Sequence, residues 1–331
     1  MDKSIELISN RIILRQLKDK DTQDIFNLFK NKKINYWFGG GLSLNETKKY
    51  IKSKIKKFNN KEEFCFGIIL KDSNKIIGEI DLIDFDIDNK KAGLLFWLGE
   101  EYWKKGLATE AIQLILKYSF KNLKLNRIYA NIEEENIDSI KLIKNNNFIY
   151  EGLLRKSILR NKEFKNELVF SLLKNDYNLL ILANEIYINL LKGHNILLAG
   201  KTDSGKTWFV KNILISYLQN NGIKTKYFEG CDKIITNNLN NKVTIVDEVE
   251  IFEDQKLLEK LYPEERPYYS KEYLKRVKKW YSNLSKIKTQ SIYIVTRNEF
   301  ESLNNIKNNI KQVGFCVRSL YKIIFQKISK L

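Results

Sequence analysis

The chain has 331 residues, 43% of them hydrophobic and 30% charged, a globular composition that excludes a chain disordered or collagen-like throughout. It lacks the run of about 18 apolar residues that a membrane span needs and the apolar stretch of a secretory signal, so we expect a cytoplasmic protein without membrane contact. The formal net charge of +18 is compatible with nucleic-acid binding, but lysines far outnumber the nine arginines, and the composition of an AT-rich genome explains that excess as well.

The first half of the chain is predicted to alternate strands with helices. Apolar or alternating runs predict strands over 11–15, 63–70, 76–85, 92–98, 127–132, 148–154 and 167–173. Helical spacing of apolar residues predicts helices over 19–29, 43–58, 107–120 and 136–147. Ser43 or Asn45 would cap the second helix. Tyr36, Trp37 and Phe38 precede three glycines and are predicted to form a loop wall or ordinary helix-to-loop packing.

The segment between strand 92–98 and the next helix has the composition of a phosphate-binding turn. It runs through Trp103 and two lysines into a helix whose first turn carries Gly106 and Ala108. Small residues there let backbone N–H groups approach a pyrophosphate, and the helix dipole favours the anion.

A second motif begins at Asn136 and Ser139 and ends at Asn147 and Glu151. The first motif resembles R/Q-x-x-G-x-G/A of the GNAT acetyltransferases. The second resembles the N-x-x-S and G-F-x-x-E-G that follow it in the branch similar to ribosomal-protein N-terminal acetyltransferases. Trp103 stands at the R/Q position, and Asn147 replaces the usual glycine. The resemblance implies an α+β fold around a mixed, mostly antiparallel sheet.

This resemblance covers about residues 6–176 and implies direct attack of an amine on acetyl-CoA. It implies that strand 92–99 splays from its neighbour and exposes a backbone N–H near Leu98 to the thioester oxygen. Asn136 would contact the pantetheine arm. Ser139 would protonate the leaving thiolate, because Ile143 stands where many family members carry tyrosine. The CoA pyrophosphate would be held by the backbone amides of Lys104, Lys105, Gly106, Leu107, Ala108 and Thr109.

Two carboxylates alternate on strand 76–85 and are candidates for the base that takes the proton of the amine. Glu79 and Asp81 are two residues apart, so they lie on one face of that strand. Either would act through water. The alternative is a pair of solvent-exposed strand acids.

A parallel-sheet pattern begins after Asp176. Strands are predicted over 195–199, 224–228, 243–246, 292–296 and 313–317, with helices over 206–220 and 300–310. The alternation predicts a doubly wound α/β domain. We expect residues 1–176 to form the GNAT domain and residues 177–331 the second domain, with a helix over 179–191 as the connector.

The second half carries the G-x-x-x-x-G-K-[ST] pattern of a phosphate-binding loop between a strand and a helix. Its glycines let backbone N–H groups turn towards the phosphates of ATP. Lys206 would supply a positive charge to the β- and γ-phosphates, and Thr207 a hydroxyl to Mg²⁺. The complete motif consists of Gly200, Lys201, Thr202, Asp203, Ser204, Gly205, Lys206 and Thr207.

Strand 243–246 ends in two adjacent acids, as in the Walker B pattern. Asp247 would hold Mg²⁺, and Glu248 would polarise an attacking water. Over about residues 195–318, these motifs resemble the P-loop ATPases that carry a glutamate after the Walker B aspartate. The resemblance implies a five-stranded parallel core.

Lysines interleave with aromatic residues over 271–281. This pattern is typical of a contact with a nucleic-acid backbone and stacked bases. It is also typical of a solvated helix face with aromatic core residues. No pattern indicates the oligomeric state.

Together the motifs predict an acetyl-CoA-dependent N-acetyltransferase of a protein amine, fused to an ATP-binding P-loop domain. One alternative is an ATP-dependent RNA acetyltransferase. It would resemble the tRNA cytidine acetyltransferases, which join such modules in the reverse order and with helicase motifs that we do not find. A second is an ATPase switch with a GNAT module that binds acyl-CoA without catalysis. A third is an enzyme for a small amine, such as a polyamine or an aminoglycoside.

Overall fold

The computed structural model describes residues 5–38, 40–160, 162–199, 205–230 and 242–249, residues 275, 279, 282–283 and 287, and residues 289–295 and 320–324. Two compact units divide between Tyr177 and Asn178. The division falls within helix α6 (Lys174–Leu191), which begins in the first unit and ends in the second.

An eight-stranded sheet forms the centre of the first unit. Its strands are β1 (Glu6–Ile8), β2 (Ile12–Gln16), β3 (Phe64–Leu70), β4 (Lys75–Asp86), β5 (Lys91–Leu98), β6 (Arg127–Glu133), β7 (Ile149–Arg160) and β8 (Glu163–Leu173). They are arranged in the order β1-β2-β3-β4-β5-β6-β8-β7. Every neighbouring pair is antiparallel except β5 and β6, which run parallel. The sheet is therefore mixed and mostly antiparallel, as predicted.

Five helices pack around this sheet: α1 (Thr22–Phe29), α2 (Lys32–Phe38), α3 (Leu44–Asn59), α4 (Leu107–Lys121) and α5 (Ile137–Asn145). The first three enclose one part of the core, in which Phe29 stacks on Trp97 at a centroid distance of 4.9 Å. Helix α4 packs against β1, β2, β4 and β5. Its apolar residues at helical spacing, among them Ile112 and Ile115, are fully buried.

Two helix ends follow from local sequence. Ser43 caps α3, because its side chain accepts from the Glu46 N–H and the Glu46 carboxylate accepts from the Ser43 N–H at 2.8 Å. Asn136 caps the start of α5. Beyond its end, Asn147 adopts φ = +64°, in the left-handed region that favours glycine. This conformation explains why the family motif carries glycine there and why asparagine is an acceptable replacement.

A five-stranded parallel sheet forms the centre of the second unit. Its strands are β9 (Asn195–Ala199), β10 (Thr225–Phe228), β11 (Val243–Val249), β12 (Ser291–Val295) and β13 (Leu320–Ile324), in the order β10-β11-β12-β9-β13. A helical stretch follows β9 as α7 (Lys206–Phe209), a π-helical turn (Val210–Leu214) and α8 (Ile215–Asn220). Its apolar side chains share one core with β9, β11, β12 and α6.

Three elements differ from the prediction. The β7–β8 hairpin is longer than strands 148–154 and 167–173, because its outer part pairs only with itself and lacks the alternation of a half-buried strand. Tyr36 and Trp37 lie in helix α2 and not in a loop. The fifth parallel strand is 320–324, while 300–310 and 313–317 lie outside the described residues. Among the helices that the structure describes, none has the length and apolar character to cross a membrane.

Candidate functional site

The two parallel strands of the first sheet separate soon after they meet. Residues 91–93 of β5 pair with residues 127–129 of β6, and the pairing stops there. Strand β5 continues along β4 to Leu98, while β6 continues along β8 to Glu133. The two strands are therefore the arms of a V that opens towards their carboxyl ends, which is the separation that the family resemblance implies for strand 92–99.

Leu98 lies at the open end of the β5 arm. The next amide, Gly99 N–H, donates to the Ile77 carbonyl at 2.8 Å. Because successive amides of a strand point to opposite edges, the Leu98 N–H points away from β4 and into the V. The Leu98 carbonyl accepts a 2.7 Å hydrogen bond from Trp103 Nε1. The tryptophan at the R/Q position thus anchors the strand end that carries this amide.

The turn that follows Trp103 and the first turn of α4 form an anion cradle. Gly106 is the N-cap of α4 with φ = +76° and has no side-chain cap, so the first N–H groups of the helix have no partner within it. Arg11 braces the cradle by donating to the Lys105 carbonyl at 2.9 Å and to Glu110 at 2.8 Å. The residues predicted to bind the pyrophosphate are contiguous here: Lys104, Lys105, Gly106, Leu107, Ala108 and Thr109.

Arg11 is a residue of this site that the sequence alone does not indicate. Its partners lie 94 and 99 residues along the chain, and no local motif marks it. Only the pairing of the first strands with the sheet brings it to the start of α4.

Glu79 and Asp81 are both fully buried, so the alternative of solvent-exposed strand acids is wrong. Glu79 accepts a 2.6 Å hydrogen bond from the Tyr50 hydroxyl, and Lys54 forms an ion pair with Asp81. Burial, followed by the charge of Asp81, raises the pKa of Glu79 to about 8. Burial also raises the pKa of Asp81, against the attraction of Lys54. Glu79 would therefore take up a proton as pH falls through about 8, whereas Asp81 is held in its ion pair with Lys54.

Asn136 and Ser139 stand at the start of α5. Asn136 Oδ1 accepts a 3.2 Å hydrogen bond from the Ser139 N–H, so the N-x-x-S motif also caps the helix. This bond does not use the amide nitrogen of Asn136. Ser139 is half-buried. Ile143, at the position of the family tyrosine, is fully buried and offers no proton donor.

A cleft lies at the open end of the β6 arm, bordered by the β7–β8 hairpin. Glu133, the last residue of β6, is 7% exposed. Tyr36 of α2 donates to Glu135 at 3.4 Å, which places α2 near the same region. The cleft is lined by Glu133, Glu134, Glu135, Lys156, Phe164, Lys165 and Asn166. Sequence reasoning missed Glu133, for which the one signal was its position shortly before Asn136.

The second unit brings part of the predicted nucleotide site to one edge of its sheet. Gly205 has φ = +91° and caps α7, Lys206 is 6% exposed and Thr207 is half-buried. Asp247, near the carboxyl end of β11, is 3% exposed and accepts a 2.5 Å hydrogen bond from the Tyr227 hydroxyl. The carboxyl ends of parallel strands share an edge. An ammonium, a hydroxyl and a carboxylate at that edge form a donor set that fits Mg-ATP.

Other predicted residues of this site lie outside the described residues, namely Gly200, Lys201, Thr202, Asp203, Ser204 and the side chain of Glu248. Of the segment 271–281, the structure describes Lys275 and Lys279, which are helical and exposed. In the described part of the chain, no three His, Cys, Asp or Glu side chains form a group that could hold a metal ion.

Comparison with known proteins finds similarity within the first unit. Residues 11–149 match the family model of the acetyltransferase (GNAT) domain. The uncharacterized N-acetyltransferase YnaD of Bacillus subtilis is 29% identical over 53% of this chain and 100% of its own length. The uncharacterized N-acetyltransferase p20 of Bacillus licheniformis is 40% identical over 34% of this chain and 63% of its own length. A spermidine N(1)-acetyltransferase of Vibrio cholerae is 26% identical over 51% of this chain and 97% of its own length.

Among solved structures, a GCN5-related N-acetyltransferase from Brucella melitensis aligns with a TM-score of 0.50 and 19% identity. The alignment covers 56% of this chain and 85% of that chain, and at this identity it speaks for the fold alone. The family match ends at residue 149, so the character of the second unit rests on its own residues.

Proposed function

We propose that this chain, whose N-terminal unit carries a GNAT acetyltransferase domain, transfers the acetyl group of acetyl-CoA to a primary amine of a protein. The observation that carries the proposal is the V between β5 and β6, where the Leu98 N–H points into the gap and the strand leads into the anion cradle of α4. A ligand with a pyrophosphate at one point and a reacting thioester at another suits this arrangement.

The residues of the V divide the chemistry among them. Backbone amides of 104–109 bind the pyrophosphate, and the Asn136 amide contacts the pantetheine arm. The Leu98 N–H donates to the thioester oxygen and stabilises the negative charge that develops as the amine nitrogen attacks the carbonyl carbon. The C–N bond forms and the C–S bond breaks. Ser139 relays a proton from water to the leaving thiolate, and Glu79 receives through water the proton that the amine loses and returns it to solvent.

The second unit is proposed to bind Mg-ATP. Lys206, Thr207 and Asp247 would hold the phosphates and the metal, and Glu248 would orient a water for hydrolysis. Bound Mg²⁺ neutralises phosphate charge. The support is the buried Lys206 at the start of α7 and the buried Asp247 at the carboxyl edge of the parallel sheet.

The test follows labelled acetyl groups from acetyl-CoA into fractionated cell extract, with and without Mg-ATP. We expect label in protein amines, and a polyamine is the second candidate because a relative is a spermidine acetyltransferase. Label confined to RNA and dependent on Mg-ATP would contradict the proposal. A Gly106→Val variant is the control, since a β-branched residue opposes φ = +76° and its side chain would keep the pyrophosphate from the amides.

A further inference from the structure

Glu133 has a buried carboxylate, and one of its oxygens has no hydrogen-bond partner among the described residues. Both hydrogen bonds from Arg160, from Nε at 2.9 Å and from a terminal guanidinium nitrogen, converge on Oε1. Oε2 is buried and has no hydrogen-bond partner among the residues that the structure describes. Buried polar atoms nearly always have a hydrogen-bond partner. A buried oxygen without one therefore marks a position for a donor that comes from outside the chain.

The position of Glu133 relates it to the V. The last paired residues of the two arms are Gly93 on β5 and Tyr129 on β6. Trp97 lies four residues beyond Gly93, and Glu133 lies four residues beyond Tyr129. The two residues are therefore equally far from the point at which the strands separate. The Tyr129 ring lies 3.3 Å from where a Cβ on Gly93 would stand, so the two residues share a face. Because side chains alternate along strands, Trp97 and Glu133 share that face too.

Glu133 is also distinct from its acidic neighbours in the cleft. Glu134 accepts from the Asn166 amide at 2.9 Å, and Glu135 forms an ion pair with Lys165 at 2.9 Å. Among these three carboxylates, Glu133 is the most buried and the one with a buried, unpartnered oxygen, and its residue lines the cleft.

We infer that Glu133 Oε2 receives the acceptor amine, accepting a hydrogen bond from its N–H and holding the nitrogen at the opening of the V. The inference rests on the proposed function and specifies its substrate chemistry: a primary aliphatic amine, which a carboxylate attracts when it arrives protonated. A phosphate group would meet a carboxylate here and has no N–H to offer. The amine comes from a peptide N-terminus or from a polyamine.

Glu133→Gln tests the inference. The amide keeps the shape of the side chain and an oxygen for Arg160, but it places an NH₂ donor where the acceptor amine needs an oxygen. We expect the KM for the amine to rise about tenfold, as the loss of a hydrogen bond to a charged group predicts. The Kd for acetyl-CoA, measured by isothermal titration calorimetry, should stay within about twofold, because the cradle of α4 is untouched.

Glu62→Gln is the matched control, since it removes the same charge from an exposed side chain that does not line the cleft. We expect it to leave the KM for the amine unchanged. Parallel assays use a short peptide and spermidine as the amine. The amine whose KM rises in Glu133→Gln is the one that Glu133 binds. Thermal melting of each variant reports folding. If Glu133→Gln does not fold, Glu133→Asp keeps the charge, withdraws the oxygen by one carbon and should also raise the KM.

The outcomes separate the two proposals. Wild-type transfer to either amine, with the same amine KM in the Glu133 and Glu62 variants, overturns the inference and leaves the proposed function standing. An equal loss of acetyl-CoA affinity in Glu133→Gln also overturns it, because Glu133 would then act through the fold. A wild-type chain that binds acetyl-CoA and acetylates neither amine contradicts both.

Discussion

Glu79 illustrates how surroundings change the chemistry of a single side chain. It lies on β4 opposite Trp97, and it accepts a 2.6 Å hydrogen bond from the Tyr50 hydroxyl. Removal from water penalises its charged form, and the neighbouring carboxylate of Asp81 adds repulsion, while Lys54 acts in the opposite direction. The result is a carboxyl group that gains and loses its proton near neutral pH, as a general base requires.

Glu79→Gln should change the pH dependence of stability. The ordinary pKa of glutamate, 4.5, applies to the unfolded chain, and the folded value is about 8. Between these values the folded protein holds a proton that the unfolded chain has lost, so its free energy of unfolding falls as pH rises through this window. Relative to Glu79→Gln, wild type should lose about 1 kcal/mol between pH 7 and pH 9. Urea denaturation at each pH measures this difference. If the free energy of unfolding of wild type and of Glu79→Gln changes equally with pH, the prediction is wrong.

Arg11→Ala should weaken acetyl-CoA binding. The guanidinium holds the Lys105 carbonyl and Glu110, and without it the cradle must be ordered by the ligand. We expect the Kd for acetyl-CoA to rise about threefold to tenfold. Arg155→Ala removes the same charge from an exposed position on β7 and is the control. If both variants raise the Kd for acetyl-CoA equally, the effect comes from the loss of a positive charge and not from the loss of the contacts that Arg11 makes with Lys105 and Glu110.

At the scale of elements, the ends of strands and helices position the proposed site. The separation of β5 from β6 exposes the Leu98 amide, and the capless start of α4 supplies unpaired N–H groups. Helix α5 begins at Asn136, so the residue assigned to the pantetheine arm is held by the helix that it caps. Its other end depends on the left-handed turn at Asn147.

Asn147→Gly should stabilise the first unit. Glycine adopts φ = +64° without the steric cost that a Cβ brings, and a helix commonly ends in this way. We expect a gain of about 0.5–1 kcal/mol in the free energy of unfolding. Asn145→Gly, within the last turn of α5, should instead destabilise, since glycine lowers helix propensity. Urea midpoints of the two variants moving in the same direction would refute the argument.

At the scale of the molecule, two sheets of different topology occupy one chain. The first, mixed sheet lies in the unit that matches the GNAT family model, and the second, parallel sheet carries the proposed nucleotide residues. Each unit has its own buried core, one around α1–α3 and the other around α6–α8. Separate cores allow each site to form without ligands from the other unit.

Lys206→Ala should therefore remove nucleotide binding and leave acetyl transfer intact. The ammonium of Lys206 is the charge proposed for the phosphates, and its loss should raise the Kd for Mg-ATP at least about tenfold. Lys211→Ala, on the same helical stretch where Lys211 pairs with Glu229, is the control. Calorimetry measures the nucleotide, and release of CoA thiol measures the transfer. A parallel fall in transfer would show that the units are coupled.

The sequence by itself determined the order and type of most elements and the families that its two halves resemble. These signals are local: the periodicity of apolar residues, the cap at Ser43, and glycines where the backbone takes φ of +76° or +91°. The outer part of the β7–β8 hairpin was not predicted from the sequence. Its two strands pair only with each other and are mostly exposed, so their residues show no alternation of apolar and polar side chains.

The tertiary structure alone decided which of these residues can act. It buried Glu79 and Asp81, gave Asp81 to Lys54, and brought Arg11 to the start of α4. It also left one buried oxygen of Glu133 without a hydrogen-bond partner among the described residues. Burial and pairing depend on partners that lie tens of residues away in the chain, and no local pattern of residues encodes them.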